Sequence, residues 1–349
     1  MKRCGTEAFL KLAEEHPIFD ARTPAEFDDG HLPEAHNLPL FDNEERAEVG
    51  TLYKKKGRKE AILRGLDFVG PKMRELIEQV EAVREPPGPV LLHCWRGGMR
   101  SSSVAWLLEL YGYEVTVLEG GYKAYRHHVL EAFETQFDEL IVLGGLTGCG
   151  KTEVLDELVE LGEQVIDLEG LANHRGSAFG GIEREVVAQQ QFENDLARVI
   201  SEIDPSRRVW VEDESRLVGS CFIPDGFWEQ KRRAPLVCLD ISHDTRLDRL
   251  VAEYGEHPTE ELAESFRGIQ KRLGGRRLTL SLEALDEGDL RTAGHEALKY
   301  YDKAYSHGME NRLGPIVARL ELEPRPSSAE IARLCISTAE SEKVRKLES

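Results

Sequence analysis

The sequence predicts an α/β fold with parallel sheets in two domains. Apolar runs typical of buried strands alternate along the 349 residues with amphipathic stretches typical of helices. Two of these strand-like runs, residues 89–92 and 139–143, each lead into a glycine-rich turn and then a helix. Because parallel strands bring such turns to one edge of a sheet, we expect the chemistry at the carboxyl ends of the strands.

The composition is that of a soluble globular chain. It carries 64 acidic and 45 basic residues, a formal charge of −19, which argues against indiscriminate binding to nucleic acid or anionic membranes. Six cysteines are scattered without a CxxC pair, a pattern that fits neither a zinc site nor a disulfide framework and indicates a reducing compartment. Residues 1–16 lack the apolar core of a signal peptide, and no run is long enough to span a membrane. We therefore expect a cytoplasmic protein with no membrane partner.

Local signals place the elements of the first domain. Residues 17–20 are typical of a short strand, and a helix follows in which Thr23 caps, Pro24 opens and Glu26 occupies the third position. Two prolines keep residues 30–39 extended. A helix over residues 72–83 and a strand at Glu114–Leu118 complete the predicted alternation.

The first glycine-rich turn surrounds a cysteine. After the strand come His93 and Cys94, then two glycines and two arginines within six residues, then a serine-capped helix. Backbone N–H groups converge in such a turn, so we expect the pKa of Cys94 to lie below the free value of about 8.5. The alternative is a buried structural cysteine. The candidate catalytic residues are Cys94 and Arg100, with an anion-binding loop of Trp95, Arg96, Gly97, Gly98, Met99 and Ser101.

The second turn, GLTGCGKT at residues 145–152, fits the P-loop pattern G-x-x-x-x-G-K-[ST] in full. Its amides should cradle a polyphosphate, Lys151 should reach terminal oxygens, and the Thr152 hydroxyl suits a Mg²⁺ ligand. Cys149 is expected only to fill the turn. The predicted phosphate-binding residues are Gly145, Thr147, Gly148, Cys149, Gly150, Lys151 and Thr152.

Further polar residues follow the next strands of this domain. Glu212 or Asp213, at the end of an apolar strand, would orient metal-bound water, or would simply form a solvated strand end. A polar glycine-rich loop over residues 169–181 follows the strand predicted at 164–168. The candidate substrate or metal-water contacts are Asp167, Arg175, Glu212 and Asp213.

Residues 19–40 together with LLHCWRGGMRS resemble a rhodanese domain, a resemblance that implies a cysteine carrying sulfur or selenium. One departure is informative. Common rhodanese loops have four residues between the cysteine and the arginine, whereas five separate Cys94 from Arg100, as in HCx5R phosphatases. We therefore expect a site wide enough for a phosphate-like donor. Phosphatase chemistry is the rival, and it needs a general acid that the sequence does not identify.

The chain as a whole resembles the tRNA 2-selenouridine synthase family through HCWRGGMRS, GLTGCGKT, DLEGLANHRGSAFG and VEDES. The resemblance implies geranylation of 2-thiouridine in tRNA from geranyl diphosphate, then replacement of the geranylthio group by selenium from selenophosphate. It also implies that Cys94 receives selenium and that the P-loop holds the diphosphate, with Mg²⁺ screening its charge. The enzyme that supplies selenophosphate is a candidate partner.

The tRNA is expected to contact a group of basic residues, called here the basic seam, although the net charge of the whole chain is negative. Its candidate residues are Lys231, Arg232, Arg233, Arg276 and Arg277, and the alternative is the basic run at residues 54–59, which also fits a solvated helix end. The predicted organisation is a rhodanese-like domain at 1–121, a helical linker at 122–138, a P-loop NTPase-like α/β domain at 139–310 and a helical C-terminal extension at 311–349.

Two other functions fit parts of these patterns. One is a sulfurtransferase or HCx5R-type phosphatase coupled to a P-loop kinase or NTPase, which would turn over without RNA. The other is a P-loop regulatory protein with a degenerate rhodanese module, which would bind a protein partner and perform no chemistry at Cys94.

Overall fold

The computed structural model describes residues 1–177, 179–182 and 184–348, with backbone alone for 342–348. It forms two compact units, one of Met1–Ala132 with Ala188–Arg198 and one of Phe133–Val187 with the chain from Val199 onward. Each contains a five-stranded sheet in which every neighbouring pair is parallel. The predicted α/β class, with a rhodanese-like and a P-loop sheet domain, is confirmed.

The first unit orders its strands β1-β5-β4-β2-β3. They are β1 (Lys2–Cys4), β2 (Ile18–Asp20), β3 (His36–Asn37), β4 (Pro89–His93) and β5 (Glu114–Leu118). The helices are α1 (Thr6–Ala13), α2 (Pro24–Asp28), α3 (Asn43–Lys56), α4 (Arg58–Glu81), α5 (Met99–Tyr111) and α6 (Gly121–Ala132). Central strand β4 is buried from Val90 to His93, so the turn that follows it starts from a fixed position.

Sequence signals predict the capped helix of this unit correctly, but they do not predict its edge strand or the position of α6. The predicted cap forms, because Thr23 Oγ1 accepts from the Glu26 N–H at 3.3 Å and Glu26 Oε2 accepts from the Thr23 N–H at 3.1 Å. Edge strand β1, which pairs with β5, is absent from the sequence prediction. Helix α6 overlaps the expected linker at 122–138, yet Tyr122 and Tyr125 are buried within the first unit.

The second unit has the strand order β12-β11-β6-β8-β7 and a separate antiparallel pair, β9 with β10. The strands are β6 (Glu139–Gly145), β7 (Gln164–Ile166), β8 (Arg208–Glu212), β9 (Leu217–Val218), β10 (Cys221–Phe222), β11 (Leu236–Asp240) and β12 (Ile316–Glu321). The helices are α7 (Lys151–Glu160), α8 (Leu168–Leu171), α9 (Gln189–Glu202, which begins in the first unit), α10 (Asp225–Arg233), α11 (His243–Tyr254), α12 (Thr259–Gly268), α13 (Gln270–Leu273), α14 (Gly275–Asp286), α15 (Leu290–Glu310) and α16 (Ser328–Glu348).

The C-terminal segment is part of the second unit's core rather than a purely helical extension at 311–349. Strand β12 pairs in parallel with β11. Helix α16 buries Ile331 and Cys335 in the cluster that contains Leu155 and Leu158 of α7. The P-loop helix is therefore supported by the end of the chain.

Helices α12 to α15 form a second apolar cluster in this unit. Leu262, Phe266, Leu285, Ala293 and Ala297 are each less than a tenth exposed, and Phe179 and Tyr254 pack against them. Within the described residues, no helix is long and apolar enough to cross a membrane.

Candidate functional site

The cysteine loop begins where β4 ends. Cys94 is 3% exposed, and its Sγ lies 3.2 Å from the Oγ of Ser101, a buried residue in the first turn of α5. The Ser101 hydroxyl is also placed to donate to the Gly98 carbonyl oxygen at 3.1 Å. The sulfur is thus held against a hydroxyl rather than against hydrocarbon alone.

Three donors from outside the loop bind its carbonyl oxygens. The Tyr122 and Lys123 N–H groups donate to the carbonyls of Cys94 (2.8 Å) and Trp95 (3.0 Å), and Arg3 Nη1 donates to that of Gly97 (3.0 Å). The N–H groups of residues 95–101, by contrast, meet no acceptor in the part of the chain that the structure describes. The loop therefore offers a row of amide donors, the arrangement that binds anions.

Arg100 is held at this loop by a carboxylate. Its Nη1 and Nη2 donate to Glu26 Oε2 (2.5 Å) and Oε1 (3.2 Å). Burial opposes the charge of Glu26, but Arg100 outweighs it and lowers the pKa of that carboxyl. Arg96 and Met99 are exposed, and Trp95 is half-buried. The catalytic roles of Cys94 and Arg100 stay predictions.

His93, directly before Cys94, is fully buried. Burial lowers the pKa of its imidazole, although Asp20 lies 3.6 Å away and favours the charged form. Asp20 itself is paired with buried Arg22, whose Nη2 donates to its Oδ2 at 2.5 Å. The buried Asp20–Arg22 pair therefore lies next to His93 at the end of β4.

The P-loop lies between β6 and α7, as its motif predicts. Lys151 Nζ donates to the Gly145 carbonyl at 3.4 Å and lies 3.9 Å from Glu214 Oε1. Burial disfavours the charge of Lys151, but the surrounding acidic groups, Glu214 and Glu169 among them, raise its pKa above the ordinary range. Lys151 is therefore a cation at neutral pH, ready for an anionic ligand. Cys149 is fully buried in the turn.

Two distant residues fix the P-loop, and no local signal pointed to either. Buried Arg246 donates from Nη1 to the Thr147 carbonyl at 3.0 Å, and Asp302 holds its guanidinium with two hydrogen bonds. The Tyr305 hydroxyl accepts from the Gly145 N–H at 2.9 Å and donates to Asp213 Oδ2 at 3.0 Å. These contacts join positions that are far apart in the chain.

Carboxylates collect beside Lys151 and Thr152. The Thr152 hydroxyl donates to Glu169 Oε2 at 3.3 Å, and the Glu169 N–H donates to Glu212 Oε1 at 2.7 Å. Burial, followed by the charge of Glu214, raises the pKa of Glu169 to about 8. Burial, with Asp167 and Glu169 nearby, raises the pKa of Glu212 well above its usual value. Glu212 is 1% exposed, so the solvated strand end considered for it is wrong.

The other residues predicted to contact substrate or metal-bound water lie near these carboxylates but have different partners. Asp213 accepts from Arg312 Nη1 at 3.0 Å, while Asp167 caps α8 by accepting from the Gly170 N–H at 2.8 Å. Arg175 lines the same cleft as the P-loop and pairs with Glu253. The sequence analysis does not name Glu169 or Glu214 as site residues. Glu169 belongs to the DLEGLANHRGSAFG motif and Glu214 to the VEDES motif.

The predicted basic seam needs one correction. Lys231 is 2% exposed and donates to the Glu214 carbonyl at 2.5 Å, so its ammonium is not part of an exposed basic surface. Lys231 lies on the buried face of α10. Its position in a run of three basic residues gives no sign of that burial. Arg232 and Arg233 pair with Glu229, Arg277 pairs with Glu296, and Arg276 is exposed. The alternative run at residues 54–59 is fully exposed.

Two clefts meet beside the P-loop. The phosphate cleft is lined by Thr147, Gly148, Gly150, Lys151, Thr152, Glu169 and Arg175, among others. The apolar cleft is lined mainly by Phe179, Leu250, Tyr254, Phe266, Leu285, Leu290, Ala293, Ala297 and Tyr301. Thr147, Ser177, Leu250 and Tyr254 line both. A ligand can thus place charge in one cleft and hydrocarbon in the other.

Comparisons with known proteins give consistent results for both units. A family model described as a rhodanese-like domain matches residues 6–128, and one described as the tRNA 2-selenouridine synthase AAA domain matches residues 138–324. The crystal structure of the N-terminal domain of a putative ATP/GTP binding protein from Clostridium difficile 630 is 44% identical, covering 37% of this chain and 99% of that one with a TM-score of 0.34.

Curated relatives are similar over most of their length. A tRNA 2-selenouridine synthase of Pseudomonas entomophila (strain L48) is 37% identical over 87% of this chain and 90% of its own. Proteins of the same name from Shewanella pealeana (strain ATCC 700345 / ANG-SQ1) and Pseudomonas syringae pv. tomato (strain ATCC BAA-871 / DC3000) are 34% and 38% identical. Each alignment covers 86% of this chain, with 91% and 90% of the respective relative.

Proposed function

The chain belongs to the tRNA 2-selenouridine synthase family, and from that premise we propose that it makes 2-selenouridine in tRNA by two successive transfers. It is an enzyme of tRNA modification. In the first proposed step, the sulfur of a wobble 2-thiouridine takes a geranyl group from geranyl diphosphate. In the second, selenium from selenophosphate replaces the geranylthio group.

The observation that carries the geranyl step is the wall shared by the phosphate and apolar clefts. In the apolar cleft, a nucleoside would place a polar ribose and base against Phe179, Phe266 and Leu290, where their polar groups would lose water without new partners. A ten-carbon chain instead gains up to about 0.8 kcal/mol for each buried CH₂. The apolar cleft therefore suits an isoprenyl chain better than a nucleoside, which supports an isoprenyl diphosphate as the ligand of this P-loop.

The chemistry of the first step follows from the charges around Lys151. The C1–O bond of geranyl diphosphate breaks as the sulfur–C1 bond forms, and the diphosphate leaves with the electron pair. Lys151 and the loop amides stabilise the charge that develops on the leaving oxygen. The base loses its N3 proton, for which Asp213 and Glu214, which line a cleft together with Lys151, are the candidate acceptors.

The P-loop also suits a magnesium ion bound mainly through the diphosphate. Among residues 1–177, 179–182 and 184–348, no group of three or more His, Cys, Asp or Glu side chains could hold a metal ion. Mg²⁺ in phosphate sites needs only one or two protein oxygens, and the Thr152 hydroxyl with Glu169, 3.3 Å apart, fits that requirement. When bound, the ion would neutralise charge on the leaving diphosphate.

We place the selenium step at the cysteine loop. The N–H groups of residues 95–101 would hold the phosphate part of selenophosphate, with Cys94 beside its selenium. The selenium of selenophosphate forms the new bond to C2 of the base as the bond from C2 to sulfur breaks, and geranylthiolate leaves with the electron pair. Water then attacks the phosphorus, the P–Se bond breaks with its electrons going to selenium, and inorganic phosphate and the 2-selenouridine base are released. Alkylation in the first step makes that sulfur a better leaving group. The enzyme that supplies selenophosphate stays a candidate partner.

Competition binding tests the ligand assignment. Full-length protein is titrated with radiolabelled geranyl thiodiphosphate, a slow-reacting analogue, and then with unlabelled competitors. We expect geranyl diphosphate to displace the analogue and ATP at equal concentration to leave it bound. Displacement by ATP with no displacement by geranyl diphosphate would support the kinase or NTPase alternative instead.

A further inference from the structure

A third cleft opens beside the P-loop, and Lys151 lines it as well. We call it the Trp228 cleft, and its lining residues include Asp213, Arg216, Trp228, Arg232, Tyr305 and Arg312. Unlike the apolar cleft, it mixes aromatic rings with charged groups. It belongs wholly to the second unit.

The three clefts meet at one point. Thr147 lines all of them, Lys151, Gly176 and Glu214 line both the phosphate and Trp228 clefts, and Tyr301 lines both the apolar and Trp228 clefts. A transfer of a hydrocarbon group from a diphosphate joins three parts at one carbon: the chain, the leaving diphosphate and the attacking nucleophile. Two of the three clefts suit the first two parts, so the remaining one is the approach for the third.

We propose that the Trp228 cleft binds the acceptor base of the tRNA, with its sulfur directed toward the junction at Thr147 and Lys151. This inference rests on the proposed geranyl transfer, because it assigns the nucleophile of that step. In the reaction the sulfur–C1 bond forms, the C1–O bond breaks with its electrons going to diphosphate, and Asp213 or Glu214 takes the N3 proton of the base.

The chemistry of the cleft wall suits an unstacked base. Trp228 is half-buried on α10, and aromatic rings hold single-stranded bases by stacking. Arg216 and Arg232 lie at the same cleft, with side chains 52% and 36% exposed. Their pairs with Asp225 and Glu229 are exposed ion pairs, which contribute little and are readily exchanged for phosphates.

A photo-crosslink locates the base without requiring turnover. An anticodon stem-loop with a photoreactive thiouridine at the wobble position is irradiated on the full-length protein, and the linked peptide is identified. We expect the crosslink within the peptide that contains Trp228 or the neighbouring Tyr301–Arg312 segment. A crosslink confined to peptides outside the cleft would overturn the inference.

Kinetics with Trp228 variants give the second measurement. We expect Trp228→Ala to raise the KM for 2-thiouridine tRNA about ten-fold or more, the scale of one base stack, and Trp228→Phe to restore most of it. The Kd of geranyl thiodiphosphate should stay within two-fold, since its clefts are unchanged. Trp106→Ala is the matched control, because Trp106 is 58% exposed in the first unit.

The outcomes separate the inference from the proposed function. An unchanged KM in a folded Trp228→Ala protein that still binds the analogue would overturn the acceptor site and leave geranyl transfer standing. A wild-type protein that crosslinks at the Trp228 cleft but never transfers geranyl would retain the base site and overturn the proposed first step.

Discussion

Gly121 lies against Cys94 so closely that a Cβ at position 121 would stand 2.2 Å from the Cys94 carbonyl oxygen. Its φ of +60° is also a left-handed value that disfavours side chains. The start of α6 and the cysteine loop therefore fit together only with glycine at this position. The neighbouring Tyr122 N–H completes the contact by donating to the same carbonyl.

Gly121→Ala should displace the cysteine loop. We expect at least a ten-fold loss of selenium incorporation, because the amide row proposed to hold the donor depends on this contact. Geranylation should be retained, since its residues belong to the second unit. Nucleoside analysis of treated tRNA measures both. Gly70→Ala is the control, as a Cβ there meets nothing within 4 Å; selenium incorporation unchanged by Gly121→Ala would contradict the loop's role.

Ala293→Phe should shorten the chain that the apolar cleft accepts. Ala293 is 2% exposed and lines that cleft, so a phenyl ring would occupy part of the space assigned to hydrocarbon. We expect the ratio of kcat/KM for dimethylallyl over geranyl diphosphate to rise at least ten-fold. Overpacking costs about 1–3 kcal/mol of stability, which a melting curve monitors.

Binding of inorganic diphosphate is the control for the Ala293→Phe protein. It should keep the wild-type Kd, because the phosphate cleft is untouched by the substitution. An unchanged preference between the two chain lengths, in a variant that remains folded, would place the hydrocarbon elsewhere.

Diphosphate affinity should depend on the ionisation of Glu169. Its pKa of about 8 means that the carboxyl is neutral below that pH and negative above it. Without metal, added negative charge beside the ligand weakens binding, so the Kd of geranyl thiodiphosphate in EDTA should rise roughly ten-fold between pH 7 and 9. Calorimetry at several pH values measures this.

Glu169→Gln should remove that pH dependence, because an amide stays neutral throughout the range. Glu160→Gln on the exposed end of α7 is the matched control and should keep the wild-type profile. The same rise in Kd in the Glu169→Gln protein would assign the titration to another group.

Neutralising the exposed and half-buried basic residues of the predicted seam should weaken tRNA binding. Replacing Arg232, Arg233, Arg276 and Arg277 with alanine is expected to reduce the slope of log K against log salt by roughly 0.7–0.9 for each phosphate that the protein no longer neutralises. Filter binding at several salt concentrations gives that slope. An unchanged slope would favour the run at residues 54–59, whose own neutralisation is the companion measurement.

Sequence patterns predicted the parts of the molecule that depend on neighbours in the chain. The Thr23 cap, the strand before Cys94 and the P-loop turn each follow from residues within about ten positions. The supports of the site do not, since Arg3, Arg246 and Tyr305 reach their loops from about 90 to 160 positions away. Their side chains have no distinguishing local context.

The burial of individual side chains, like the contacts between distant residues, could not be predicted from the sequence. Lys231 belongs to the same basic run as its exposed neighbour Arg233, and only the packing of α10 separates their roles. The apolar cleft was also unpredictable, because Phe179, Phe266 and Leu290 have the composition of an ordinary core. Only the folded chain shows that they line a cleft beside a P-loop.

The most direct test is nucleoside analysis of 2-thiouridine tRNA incubated with geranyl diphosphate and selenophosphate, using Cys94→Ala and Lys151→Ala separately. If the two transfers use separate sites, Cys94→Ala should accumulate S-geranyl-2-thiouridine and Lys151→Ala should leave 2-thiouridine unmodified. Formation of 2-selenouridine by the Cys94→Ala protein, or of the geranylated base by the Lys151→Ala protein, would contradict the account.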